Sequence, residues 1–501
     1  MLILFLVFSC GLLASAKVPV CPPGGTHFDP PQNLSTEIRF PPNSNDSYPY
    51  FPTNYQCDYQ INVPQGLYAI VDIYYRSLNQ TDETSKIVVT DQTNFSETLT
   101  AANYERFFFT SNGGNIMLST GISQAALTLY MSWKTLPSAF TPVQIRVNVS
   151  DTEPSTIAIN NPEPSYLVTA DTRVSILAVP STYDTDKFIL RGILVYDGPS
   201  WNSKLLGNAM QLWMSNKQWV SSGNQLTVQC LNKNSNLNRT QIVLQDYENT
   251  KHIVNYQCGY CFYNRDDRTQ NDCQYTLDNS LGTSAVMTSS MASTGMNWEA
   301  IKYLNGNGSI DVYIGGITQS KSNLVVSYPV QNVGLTLPQV FRGTIRTYVL
   351  EGVHTKAVMN LTQYKSSNAD PIGSKKLIMS NYYPQMHTDQ YAWTALKAAN
   401  TTSLVTFSYR FRCADIAKNG TLSIQVHSGN KYVFNKTYTA SNPPPINTTL
   451  TNLGDYMTVV MISNEGESKG LLMEYEILKA ASMNFCTLVF AVTIFMIIFL
   501  K

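Results

Sequence analysis

Charged side chains are scarce in this chain. Asp, Glu, Lys and Arg make up 14% of its 501 residues, and 34 basic residues are balanced by 34 acidic ones. Without an excess of one sign the surface has no field to draw in a polyanion, so no nucleic acid partner is expected. Histidine is scarcer still, with His27, His252, His354, His387 and His427 scattered one to a region. The sequence holds no H-E-x-x-H and no G-x-x-x-x-G-K, and so lacks the local signatures of a zinc protease and of a phosphate-cradling loop. Its one C-x-x-C, Cys258-Gly-Tyr-Cys261 with Cys273 beyond, is not followed by the second close pair that a zinc site calls for. No metal, no cofactor and no catalytic residue is therefore expected. Long apolar runs are confined to the two ends.

The opening run, Leu2 to Phe8, closes on Ala14-Ser15-Ala16. That is a secretory signal peptide over residues 1–16, since its apolar core is shorter than the roughly 20 residues a bilayer span needs. The closing run, Ala480 to Leu500, carries no charge and reads as a hydrophobic anchor over 480–501. It is either a GPI signal, cleaved after one of the small residues Ala480-Ala481-Ser482, or a retained span with only Lys501 beyond it. Both readings put the chain on the outer face of the cell membrane, through the secretory pathway.

Within that compartment two residue types gain meaning. Sequons stand at Asn33, Asn45, Asn79, Asn94, Asn148, Asn238, Asn307, Asn360, Asn400, Asn419, Asn435 and Asn447, and each one used must lie on an exposed surface. Between the leader and the tail lie Cys21, Cys57, Cys230, Cys258, Cys261, Cys273 and Cys413. In an oxidising compartment they are expected to pair, the odd number leaving one over.

Tyrosine-, Thr-, Val- and Ile-rich stretches between Asn, Gly and Pro turns describe strands rather than helices. One pattern of three strands recurs: Ile87 to Asp91, Gly114 to Leu118 and Ala126 to Trp133; then Ile193 to Gly198, Gly223 to Val228 and Thr240 to Tyr247. A third copy reads Ile310 to Gly316, Ser322 to Val326 and Gly343 to Val349, and a fourth Leu422 to Gly429, Asp455 to Val460 and Leu471 to Leu478. The period is roughly 110 residues, the size of a β-sandwich. Trp201, Trp213 and Trp219 flank a hairpin of the second copy and are expected to pack in it rather than to meet a ligand.

Residues 21–133 resemble the N-terminal module of the nematode CUB-like domain proteins. The features are Cys21-Pro22-Pro23-Gly24, Phe40-Pro41-Pro42-Asn43, Tyr48-Pro49, Asn54-Tyr55-Gln56-Cys57-Asp58-Tyr59 and Val63-Pro64-Gln65-Gly66. Val195-Tyr196-Asp197-Gly198-Pro199-Ser200, Leu205-Leu206-Gly207 and Ser221 to Val228 are similar to the second half of an ordinary CUB domain. The resemblance implies an all-β fold of about four tandem CUB-like antiparallel β-sandwich modules, over 17–137, 138–252, 253–352 and 353–479. It also implies an extracellular binding module, in a group whose members are secreted or surface proteins linked to innate immunity and stress. Cys21 and Cys57 are expected to form a disulfide that ties the N-terminal segment to the first module. The calcium ligands of many CUB modules correspond here to the segment with Asp184 and Asp186 and to residues 232–236, which are depleted in acids, so no calcium site is carried over.

The function expected is that of a non-enzymatic, membrane-anchored binding glycoprotein in defence or stress, with a protein or glycan ligand at the cell surface. The alternative is an extracellular hydrolase acting on glycan or peptide. Between Asn148 and Asn307 only Asn238 carries a sequon, so the second module is expected to offer the least shielded binding face.

Overall fold

The computed structural model describes residues 18–480, apart from 43–48, 80, 82, 101–102, 137–140, 159–164, 180–187, 232–240, 261–273, 290–298, 361–368, 400–402 and 464. The leader, all but the first residue of the tail, Asn45, Asn238, Asn400, Cys261, Cys273, Asp184 and Asp186 thus lie outside the described residues. The chain divides into two compact units, one within 1–148 and 155–247, the other within 149–154 and 248–501.

In the first unit one sheet runs β1 (Thr26–Phe28), β4 (Gln56–Ile61), β9 (Gly114–Ser119), β6 (Lys86–Thr90) and β7 (Ser96–Leu99). It faces β2 (Ile38–Phe40), β10 (Ala125–Thr135), β5 (Leu67–Ser77) and β8 (Asn103–Phe109), with β3 (Tyr50–Phe51) also on β10. Next comes a sheet of β11 (Val143–Val147), β13 (Ser165–Ala170), β18 (Gln225–Cys230), β15 (Ile193–Asp197) and β16 (Lys204–Asn208). Its companion is β12 (Ser155–Ala158), β19 (Gln241–Asp246), β14 (Val174–Val179) and β17 (Trp219–Val220).

The second unit repeats the scheme. One sheet is β20 (Asn255–Tyr260), β22 (Ser284–Ser289), β27 (Ile345–Glu351), β24 (Ser309–Ile314) and β25 (Leu324–Pro329), and its companion β21 (Gln274–Asp278), β28 (Lys356–Asn360), β23 (Glu299–Asn305) and β26 (Gln339–Phe341). The last pair is β29 (Lys375–Met379), β36 (Gly470–Lys479), β31 (Val405–Asp415) and β34 (Thr449–Gly454) with β30 (Tyr391–Lys397), β35 (Tyr456–Ile462), β32 (Thr421–Ser428) and β33 (Lys431–Tyr438).

Alternation explains why these segments are strands. On β4 Cys57, Tyr59 and Ile61 are buried while Gln56, Asp58 and Gln60 are exposed, which seats one face on a core. That core holds Phe51, Phe109, Leu129 and a fully buried Trp133, whose indole N–H donates to the Asn62 carbonyl at 2.8 Å, so the burial orphans no donor. The fold is all-β and CUB-like, as expected. One detail differs from purely antiparallel sandwiches: β1 on β4, β11 on β13 and β20 on β22 pair in parallel.

The repeat is one strand out of phase in its third copy. β6, β15 and β32 occupy matching places, and so does β24; but the strand beside β24 that matches β9 and β18 is β27, and the one matching β10 and β19 is β28. Ser322 to Val326 instead falls in an edge hairpin strand, β25. As β28 pairs with β21 and β23, this sheet runs beyond residue 352, the expected end of the third module.

Cys21 and Cys57 are joined. The expectation that the other cysteines pair is corrected among the described residues: Cys230, Cys258 and Cys413 are free thiols. Cys230 and Cys258 are buried on β18 and β20, where the thiol packs as a small apolar side chain.

Within the first unit the two sandwiches are joined by Tyr68, Phe108 and Leu136 meeting Leu194, Tyr196 and Leu231, with Trp201 and Leu205 at the rim. Beside this contact α1 (Phe188–Arg191) presents Arg191, which bonds Glu97 at 2.7 Å and Glu105 at 2.6 Å and lies 4.1 Å over the Phe107 ring. A second tie comes from α2 (Ala209–Met214), where Gln211 closes a capping box on Asn208 and donates to Asp91 at 2.5 Å. Gly207 makes room for it. A Cβ there would stand 2.0 Å from the Gln211 Oε1, and the backbone φ of +146° is one that side-chain-bearing residues rarely adopt.

Candidate binding cleft

In the second unit the outward face of the β29-β36-β31-β34 sheet meets β25. Part of the contact is dry, because Leu377, Met379 and Leu472 join the cluster that holds Tyr328, Phe341 and Tyr348. Polar bonds fix it: Gln339 accepts from the Leu377 N–H at 2.8 Å and donates to its carbonyl at 3.2 Å, and the Arg412 guanidinium donates to the Val325 carbonyl.

Where this contact parts, a cleft of about 370 Å³ opens, lined among others by Tyr328, Asn332, Lys375, Arg410, Glu474 and Glu476. Strand register brings these charges together. Lys375 pairs across from Glu476, and Arg410 from Glu474, so side chains of opposite sign lie side by side on one face. Arg410 reaches Glu474 at 2.5 Å, Arg412 reaches it at 3.2 Å, and Lys375 reaches Glu476 at 3.3 Å. Behind them Asp370 takes Lys376 at 2.5 Å and the Tyr475 hydroxyl at 2.8 Å. Burial pushes the Tyr328 and Tyr409 phenols well above their ordinary range, so they act at the cleft as neutral phenols rather than bases.

Chemically this is a lining of charge pairs and hydrogen-bonding groups of a size suited to a small ligand or the tip of a larger one. Both lining carboxylates already accept bonds from cations, and neither histidine nor cysteine is among the lining residues. A hydrolase would need a nucleophile with a base in reach of it. Among the described residues no group of three or more His, Cys, Asp or Glu side chains is placed to hold a metal ion, and no helix is long and apolar enough to cross a membrane.

The glycosylation candidates are dispersed rather than gathered. Asn33, Asn79, Asn94, Asn307, Asn419, Asn435 and Asn447 are exposed, Asn148 is half-buried with its Oδ1 accepting from Arg146, and Asn360 lies on β28. Trp213 and Trp219 pack against the second core and Trp201 against the contact between the first two sandwiches. Leu194, Tyr196 and Leu231 of the second sandwich are covered from within the chain, by Tyr68, Phe108 and Leu136. The cleft itself escaped the sequence reading, because its cations and anions come from three strands spread over a hundred residues.

Comparison with known proteins adds three matches along the chain. Residues 16–137 match the CUB-like domain family. Residues 146–231 match a domain of unknown function, DUF7592, and residues 248–364 another, DUF7591. No curated protein matches the chain significantly. Among solved structures it is similar to the CUB1-EGF-CUB2 domains of human MASP-1/3, at 7% identity over 41% of this chain and 99% of that one, with a TM-score of 0.17. The corresponding domains of rat MASP-1 match at 10% identity over 42% and 96%, again with a TM-score of 0.17. Scores this low carry no argument about function. The N-terminal part of the chain is CUB-like, and CUB-like domains are in general extracellular, typically non-catalytic modules that bind protein partners.

Proposed function

We propose that this chain is a cell-surface glycoprotein that binds a protein or glycan ligand without acting on it chemically. The observation that carries the reading is the cleft beside β25, where Glu474 and Glu476 are each held by a basic side chain and so present a fixed pattern of charge for recognition. Its chemistry suits a ligand with hydrogen-bonding groups and charges of both signs. The division into four modules belongs to the same reading, with the third extended past residue 352 through β28 and the fourth beginning after it. Glycans at the sequons, anchorage through residues 480–501 and a role in innate defence or stress, in keeping with the nematode CUB-like proteins that residues 21–133 resemble, complete it.

The test is a glycan and protein array probed with the secreted segment 17–479 and with its Arg410→Glu variant. Arg410 is substantially exposed, so the reversal leaves the sandwich folded. Capture of a ligand by the parent and its loss by the variant support the cleft; equal capture by both places binding elsewhere. Turnover of any arrayed glycan or peptide would overturn the non-enzymatic reading. Phosphatidylinositol-specific phospholipase applied to intact cells separates the two anchors, by release for GPI and by retention with a peptide through Lys501 for a span.

A further inference from the structure

The β30-β35-β32-β33 sheet buries one face, through Ala392, Met457, Val459, Leu422, Ile424 and Val426, in the last core. Its opposite face is unusually aromatic. Tyr391 and Trp393 stand 44% and 48% exposed at one end, with Ile462 beside them. At the other end the His427 ring lies 4.5 Å from Tyr432 and 5.0 Å from Tyr456, and Tyr432 is 58% exposed. Apolar surface of this kind on a secreted protein calls for a cover.

The register supplies one. Asn435 pairs with Gln425, and Tyr432 pairs with His427 because a bulge at this point sets Phe434 opposite Val426. Phe434 turns to the core. Asn435 and Tyr432 therefore emerge on the same outward face, one row apart, at about 7 Å along the strand. Asn435-Lys436-Thr437 is a sequon, and Asn435 is exposed. The neighbours on its other side, Gln425, Ser423 and Thr437, are neutral and hydrogen-bonding. A pyranose ring has an apolar C–H face that stacks on an aromatic ring and a hydroxyl rim that suits such neighbours. Asn435 stands on β33, the edge strand of this sheet, and a sugar attached there would also stand in the way of a protein docking over Tyr432 and His427.

We infer that Asn435 carries an N-linked glycan whose first N-acetylglucosamine lies on the sheet against Tyr432 and His427, so that the chain's own sugar covers that end of its exposed aromatic face. The inference rests on the secretory route proposed above. The full chain is expressed in animal cells, occupancy at Asn435 is read by glycopeptide mass spectrometry, and thermal midpoints are compared for Tyr432→Ala and Tyr432→Phe with and without Asn435→Gln.

Expected is an occupied site, a drop of about 4 °C for Tyr432→Ala in the glycosylated chain, little or no drop once Asn435→Gln has removed the sugar, and retention of the midpoint by Tyr432→Phe, which keeps the ring. An unmodified Asn435 beside other occupied sequons overturns the inference at its site while leaving the glycoprotein reading intact. No occupied sequon anywhere overturns both. An occupied site with the same Tyr432→Ala effect in the two backgrounds removes the packing.

Discussion

Arg191 on α1 and Glu97 on β7 meet at 2.7 Å with only 4% and 10% of their side chains exposed. Burial works against the charged guanidinium, yet its bonds to Glu97 and Glu105 outweigh that and hold it above its ordinary range. The pair joins two sandwiches whose sequences are about ninety residues apart at this point. Such a group is worth little against a well-packed apolar substitute, but removing one partner leaves the other charge buried and unmatched.

Arg191→Met is therefore expected to destabilise the first unit by about 3–5 kcal/mol, read as a lowered urea midpoint and faster amide exchange on β7 and β8. Adding Glu97→Gln and Glu105→Gln should recover much of the loss. A single substitution without effect would mean that the apolar contact around Phe108 and Leu194 holds the sandwiches together by itself.

The bond between Cys21 and Cys57 closes a loop with a sequence separation of 36, for which chain entropy gives roughly 3–4 kcal/mol. Replacing both with serine should lower the unfolding midpoint of the first sandwich and free β1 first, seen as loss of protection at the amides of Thr26 to Phe28. The other sheets should keep theirs.

Burial pushes the Cys230 thiol from its ordinary 9.0 up to about 12. The folded chain thus keeps a proton that the unfolded chain gives up at lower pH. The stability this contributes is complete below pH 9 and drains away as pH rises toward about 12. Cys230→Ala should flatten that part of the stability-pH curve. In native protein at pH 8 Cys230 should also resist alkylation until denaturant is added, whereas its recovery in a disulfide would show the thiol assignment to be wrong.

Strands were legible because their alternation is local. Ile193 to Asp197 and Ala125 to Thr135 could be placed from composition and turns alone, and the disulfide from Cys21 and Cys57, the two cysteines of the first module. What lay hidden depends on pairings that no local pattern encodes. Ser322 to Val326 has the composition of an inner strand, and only its partner, the hairpin strand β24, makes it an edge. β1 and β11 are short, with no alternation to mark a parallel neighbour. The helical turn Phe188-Ile-Leu-Arg191 reads as an apolar segment with a basic end; its acidic partners lie 94 and 86 residues earlier. In the cleft, Glu474 and Glu476 could be assigned an outward face from the alternation of β36, but the bases that meet them stand on β29 and β31.

The three parallel pairs also differ in length. β1 meets β4 through three residues, β11 meets β13 through five, and β20 meets β22 through six. The shortest of these is the one next to the disulfide. In a reducing environment the N-terminal strand would be the first to peel away, uncovering the backbone edge of Gln56–Ile61, which could then pair with the same strand of a second molecule. The oxidised state guards the chain against swapping partners at a single seam, while the two later seams rest on longer ladders of hydrogen bonds and, among the described residues, on no disulfide.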